Sequence, residues 1–164
     1  AKNKQSFFLT SLHAILFAIN SIEEFRYRFV DGKLVEYDKI HVGSTIANDD
    51  NTFSYVFFEY FENLEEFILK AQNEIDLKKN KKELISINVV NLVYFTSIPW
   101  VSYTHISHAH TSDKNDMIPR VAVGKYFEEN GITKLPVSME VHHALCDGFH
   151  VGQFFNLLES NLKK

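Results

Sequence analysis

Cysteine is nearly absent. The single thiol, Cys146, excludes a disulfide framework within the chain and points to a reducing compartment. Proline and glycine are also sparse, three and six residues in 164. No Pro/Gly/Ser-rich linker, internal repeat or low-complexity tract interrupts the chain, so residues 1–164 read as one domain. No basic stretch is longer than residues 78–82 (Lys-Lys-Asn-Lys-Lys), and the formal net charge is −4. That balance leaves no footprint for a phosphate backbone, and no nucleic acid is expected as a partner. The lysine cluster itself reads as a solvated helix end, with contact to an anionic ligand as the other reading. The longest apolar run, residues 12–19, is broken by His13 and is well short of the roughly 20 residues a membrane span requires. Nothing ahead of it reads as a cleavable leader, so the expectation is a cytoplasmic protein with no membrane association.

The chain is rich in apolar side chains, 45% of residues, with fifteen Phe and seven Tyr. Such a composition supports one sizeable core and suits a sheet-rich interior or a ring-lined pocket. In residues 6–22, Phe8, Leu12, Ile15, Ile19 and Ile22 recur at helical spacing and predict a core-packed helix. Alternation takes over at Phe25. FRYRFV (25–30), a turn at Asp31-Gly32 and KLVEYD (33–38) together predict a hairpin. A strand is predicted over 53–61. Asn63 then reads as an N-cap, with Glu65 and Glu66 in the first turn of a helix that runs to the lysine cluster. Further strands are predicted at LVYFTSI (92–98), WVSYTHI (100–106), RVAVGKYF (120–127) and LPVSMEVHH (135–143). Glu129-Asn130-Gly131 forms a hairpin turn between the last two, and a closing helix covers 149–162. The expected class is α+β, a two-layer sandwich of mostly antiparallel sheet packed by helices.

Chemistry concentrates at the end of the last predicted strand. Strand geometry places Val137, Met139, Val141 and His143 on one face, with Ser138, Glu140 and His142 on the other. A histidine at the end of an apolar row loses hydration of its charged form, and the neutral ring is the one that accepts a proton. Asp147 precedes Gly148, where the chain can turn into the helix, so its carboxylate can reach back toward the histidine or hold a cation. The plainer reading is a strand-end histidine satisfied by backbone groups and an aspartate capping the next helix. Spacing alone leaves both open.

The string VHHALCDGFHVGQFFNLL (141–158) resembles the signature of the chloramphenicol acetyltransferases, matching His-His-Ala-x-Cys-Asp-Gly-Phe-His at every fixed place. The looser His-His-x-x-x-Asp-Gly core is shared with dihydrolipoyl acyltransferases and with condensation domains of peptide synthetases. The likeness continues through SIPWVSYT (97–104), GKYFEENG (124–131) and AIN (18–20), and so covers nearly the whole chain. A family segment of about one strand and one helix has no counterpart ahead of residue 1, so the chain is expected to begin inside the family domain.

The resemblance implies a CoA-dependent acyltransferase-like fold and a role for each matching residue. His143 would be the general base that deprotonates the acceptor hydroxyl for direct attack on the thioester of acetyl-CoA, without an acyl-enzyme. Asp147 would be a structural partner in the catalytic set, held in the family by an arginine that neither Arg26 nor Arg28 replaces. Lys125 and Tyr126 would approach the phosphate and adenine of coenzyme A, with an exposed edge-strand pair as the alternative. Phe8 stands where a tyrosine often joins that site, and Ser6 where a lysine does. His105 takes the place of an oxyanion-stabilising serine and Ala122 that of a water-supporting threonine. Trp100 would line the acceptor pocket or simply fill core, and Tyr103 is grouped with it and with His105 as substrate-binding. A homotrimer with active sites between subunits is implied as well.

Three features are weighed against that reading. Cys146, close to the histidines, invites a nucleophile assignment, but a lone cysteine reads better as a small buried apolar residue. His105, His108 and His110 have a spacing that suits zinc, with Asp113 as a further donor, yet an incidental loop or acceptor pocket is favoured and no metal is expected. His142 and His150 are expected to serve structure, while His13 and His41 have no assignable role. The rival function classes are a non-catalytic member that binds CoA or a small hydroxylated ligand, and an acyltransferase acting on a lipoyl or carrier-protein arm.

Overall fold

The computed structural model describes residues 6–81, 89–109 and 116–163. Helix α1 (Phe7–Asn20) starts at Ser6, whose side chain accepts from the Leu9 N–H at 3.5 Å, and it buries Leu9, Leu12, Ile15, Leu16 and Ile19. A 3-10 turn (Glu23–Arg26) leads into the antiparallel ribbon of β1 (Tyr27–Val30) and β2 (Lys33–Glu36). Asp31 and Gly32 between them have φ of 51° and 75°, the doubly left-handed turn whose twist matches a two-residue hairpin. Next come β3 (His41–Ala47), β4 (Phe53–Phe58) and helix α2 (Leu64–Lys78). Asn63 caps α2 by accepting from the Glu66 N–H at 2.9 Å. The acidic first turn and Lys78 in the last complement the helix dipole.

After β5 (Leu92–Ile98) and β6 (Arg120–Gly124), a second ribbon forms from β7 (Phe127–Glu129) and β8 (Ile132–Lys134), followed by β9 (Val137–Glu140) and helix α3 (Gly148–Leu162). The main sheet has the order β4-β3-β5-β6-β9. It is mixed: β3 and β6 run parallel to β5, while β4 and β9 pair antiparallel at the edges. Counting both ribbons, four of the six pairings among the described residues are antiparallel.

Register puts Phe58, Val42 and Val93 in one row, and Val56, Ser44, Phe95, Val121 and Met139 in the next. These rows face the core that α1, α2 and α3 complete. Tyr55, Tyr94, Arg120, Ala122, Ser138 and Glu140 lie on the opposite face. The result is the expected α+β arrangement of helices on one side of a sheet. Arg28, 2% exposed, staples the ribbon to β5: its guanidinium donates to the carbonyls of Phe25, Tyr27, Val90 and Leu92 at 2.7–3.0 Å. Burial pushes its pKa down to about 10.

Several local expectations are corrected. Strand β3 was not predicted. WVSYTHI is not a strand, because both edges of β5 are occupied by β3 and β6 and nothing is left for it to pair with. The strand in RVAVGKYF stops at Gly124, that in 53–61 at Phe58, and that in 135–143 at Glu140.

Candidate active site

The turn between β9 and α3 carries His143. The N–H groups of Leu145 and Cys146 both donate to the His142 carbonyl, at 3.0 and 3.1 Å, which pulls the backbone out of the sheet after Glu140. His143 is therefore not the last member of an apolar strand row. It is exposed in the single chain, and the shielding expected from Val137, Met139 and Val141 does not apply within one protomer. Its orientation has a different source: Nδ1 lies 3.3 Å from the Cys146 carbonyl oxygen. A carbonyl only accepts, so Nδ1 carries the proton and Nε2 is left with a free lone pair.

Asp147 realises the capping alternative. It is the N-cap of α3, with Oδ1 accepting from the Phe149 N–H at 2.9 Å, and His150 returns a bond by accepting from the Asp147 N–H at Nδ1, 3.1 Å away. Among the described residues no arginine is bonded to it: Arg26 pairs with Glu36 at 2.7 Å, and Arg28 serves backbone carbonyls. Cys146 is buried, with Sγ 3.5 Å from the Glu24 carbonyl oxygen. Burial, reinforced by Glu24, pushes its thiol up to about 11. A thiol held protonated at neutral pH suits packing and not nucleophilic attack.

The other site residues gather at the far end of the β6–β9 pair. Tyr103 donates its hydroxyl hydrogen to the Ala122 carbonyl at 2.7 Å and lies 3.2 Å from Ser138 Oγ. Lys125, exposed, continues β6, and its N–H donates to the Val101 carbonyl at 2.8 Å. Tyr126, 56% exposed, meets the ring of Phe7 at 5.4 Å between centroids. Phe8 is turned inward, edge-on to Phe95 at 5.8 Å, so Phe7, which pattern reading passed over, is the aromatic neighbour of Tyr126. Trp100 is 75% exposed and fills no core in the protomer.

The segment carrying His105 crosses the polar face of the sheet. It is fastened at Val101, at Tyr103 and at His108, whose N–H donates to Glu140 Oε1 at 2.9 Å. His105 stands exposed between the last two anchors. Among the described residues no group of three metal-type side chains comes together, and His110 and Asp113 lie outside the described residues.

Histidines given little or no role prove structural. His41 Nδ1 accepts from the Tyr60 N–H at 3.0 Å, His13 Nε2 lies 3.0 Å from the Phe61 carbonyl oxygen, and His142 Nδ1 accepts from the Ala144 N–H at 3.2 Å. Burial depresses the pKa of His41, with Lys39 adding to the effect and Glu59 opposing it.

One relationship governs the whole site. Arg120 is opposite Glu140, and Val123 opposite Val137. His143 thus follows the end of β9 that lies beside the start of β6, while Lys125 and Tyr126 leave the other end of β6. The four residue steps from Arg120 to Gly124 alone span about 13 Å.

A mixed sheet of this order, with a His-His-x-x-x-Asp-Gly turn feeding the closing helix, defines the class: an acyltransferase with the CoA-dependent acyltransferase fold. The chain belongs to the chloramphenicol acetyltransferase family, whose model matches residues 1–159. It is 31% identical over 160 residues to a chloramphenicol acetyltransferase of Escherichia coli, covering 96% of this chain and 73% of that one. Over 154 residues it is 34% identical to one from Clostridium perfringens, covering 90% and 69%. A solved chloramphenicol acetyltransferase superposes with a TM-score of 0.87 at 29% identity, covering 96% of this chain and 78% of that one. The cubic core of the pyruvate dehydrogenase multienzyme complex superposes at 0.72 with 15% identity, covering 97% and 69%, and shows a shared fold alone. No helix among the described residues is long and apolar enough to cross a membrane.

Proposed function

We propose that the protein transfers an acetyl group from acetyl-CoA to a hydroxyl of a small acceptor such as chloramphenicol, with His143 as general base in a ternary complex. The observation that carries this reading is the His143–Cys146 contact: a neutral ring that donates from Nδ1 keeps its Nε2 lone pair for the acceptor's proton. The acceptor O–H bond breaks as its proton passes to Nε2, and the oxygen bonds to the thioester carbon. The tetrahedral intermediate then collapses, its C–S bond breaks, and the proton leaves with the sulfur as free coenzyme A. No covalent acyl-enzyme is needed, in keeping with a cysteine held as a thiol.

Lys125 and Tyr126 are the proposed contacts for coenzyme A, a cation for phosphate and a ring for adenine, with Phe7 beside Tyr126 and Phe8 behind in the core. Trp100, Tyr103 and His105 are the proposed acceptor wall. Because the base and the cofactor residues leave opposite ends of the β6–β9 pair, one chain does not close a site. The proposed assembly is a homotrimer in which His143 of one copy faces the cofactor residues of the next. Asp147 is proposed to fix the start of α3, and with it the turn that holds the base.

The test is an acceptor panel with acetyl-CoA, followed by release of free thiol and by intact mass. Thiol release dependent on a hydroxylated acceptor, with no acetylated protein, supports the reading. Binding of chloramphenicol or CoA without thiol release would identify a non-catalytic member instead.

A further inference from the structure

The peptide group joining Cys146 to Asp147 has a histidine at each end. Its carbonyl faces Nδ1 of His143 at 3.3 Å, and its N–H donates to Nδ1 of His150 at 3.1 Å. With Nδ1 accepting from that N–H, as the second half of the α3 capping box, the neutral ring carries its proton on Nε2. That nitrogen lies 3.3 Å from Oε1 of Glu24 in the 3-10 turn. We propose that Glu24 and His150 are positioning residues for His143, acting through the Cys146–Asp147 peptide group. The inference rests on His143 being the base.

The chain of groups runs from the Glu24 carboxylate to the His150 ring, across the peptide, to the His143 ring. Every donor in it points away from His143 Nε2. Charge on Glu24 makes His150 a better acceptor, and that polarises the peptide so that its oxygen holds the Nδ1 proton of His143 more firmly. The carboxylate thereby performs at a distance the task of an acid bonded directly to a catalytic imidazole.

The same piece of chain is tied to the 3-10 turn twice more. The Cys146 thiol donates to the Glu24 carbonyl at 3.5 Å, and the ring of Phe154, one helical turn beyond His150, meets Phe25 edge-on at 6.0 Å. The carboxylates that face His150 are Glu24, 3.3 Å from Nε2, and Asp147, whose Oδ1 is 3.1 Å from Nδ1. Nδ1 cannot donate to that oxygen and accept the peptide N–H at once, so the relay requires the tautomer with its proton on Nε2.

Three variants separate the ideas. Glu24→Gln keeps an acceptor but removes the charge. His150→Asn keeps an oxygen near the position of Nδ1 for the Asp147 N–H but no longer reaches Glu24, whereas His150→Ala removes both bonds. We expect Glu24→Gln and His150→Asn to lower kcat by about tenfold, short of the ~10⁴ carried by a directly bonded carboxylate, with KM unchanged for both substrates. Ring-nitrogen NMR of His143 in Glu24→Gln should show its Nδ1 resonance shifted, because the peptide oxygen that holds the Nδ1 proton is less polarised.

Unaltered kcat and unaltered His143 ring shifts in Glu24→Gln and His150→Asn would overturn the proposal. A drop in melting temperature with the His143 ring shifts unmoved would overturn it equally, since a purely structural tie predicts that. Full turnover in His143→Ala would sink the base assignment instead, and the ring shifts in Glu24→Gln would still decide whether the residues are coupled.

Discussion

Gly124 lies directly under the ring of Tyr103: a Cβ at that glycine would stand 2.9 Å from two ring carbons and 3.0 Å from the Val101 carbonyl oxygen. This close approach lets the phenol reach the Ala122 carbonyl and fastens the crossing segment to the sheet. Gly124→Ala should therefore displace Tyr103 and destabilise the fold by about 1–3 kcal/mol, as overpacking does. Tyr103→Phe, which only removes a hydrogen bond, should cost about 1 kcal/mol. Urea denaturation of both variants checks the order. Equal stability for Gly124→Ala and wild type would show that the ring is not held there.

The cap of α3 predicts a chemical discrimination at Asp147. Its bond to the Phe149 N–H needs an oxygen and not a charge, so Asp147→Asn should retain most of the stability. Asp147→Ala should lose about 1 kcal/mol. Equal losses for the two would indicate that the charge matters through a partner other than the helix end.

Acid should weaken the fold through His41. Its ordinary pKa of 6.5 is lowered in the folded chain, chiefly by burial, and its Nδ1 must stay unprotonated to accept the Tyr60 N–H. The unfolded chain takes up the proton first, so this stabilisation is complete above pH 6.5 and is lost as pH falls through the lower folded value. Melting temperatures at pH 7.5 and 5.5 for wild type and His41→Asn test it. The asparagine keeps an acceptor and does not titrate, so its decline on acidification should be the smaller.

Cys146 should resist alkylation while the chain is folded. Raising its pKa from 9.0 to about 11 cuts the thiolate fraction at neutral pH by about 100-fold, and burial adds to the effect. Iodoacetamide labelling with and without urea measures this. Comparable rates in both would contradict the buried placement.

How much the sequence could tell depended on how local each feature was. The helix caps at Asn63 and Asp147 and the Asp31-Gly32 and Asn130-Gly131 turns were legible because each is set by a side chain or a positive φ within a few residues. β3 escaped because Gly43 and Ser44 interrupt its pattern and Val42, Gly43 and Ser44 are all buried, so a central strand shows no alternation. The false strand at 100–106 shows the converse. Val101, Tyr103 and His105 alternate, but alternation cannot reveal that the neighbouring edges are already taken by parallel partners distant in sequence. His143 was found through its motif, yet the contact that orients it is a backbone carbonyl three residues away, which no residue type encodes. The tie from Glu24 to His150 spans most of the chain and had no signature in spacing.

Turnover in His143→Ala is the most direct measure of the account. With acetyl-CoA and an acceptor that the wild type uses, thiol release should fall by about 10²–10⁴-fold while the variant keeps its melting temperature and its oligomeric state. A variant that is folded, assembled as the wild type is, and equally fast would contradict the assignment of that imidazole as the base.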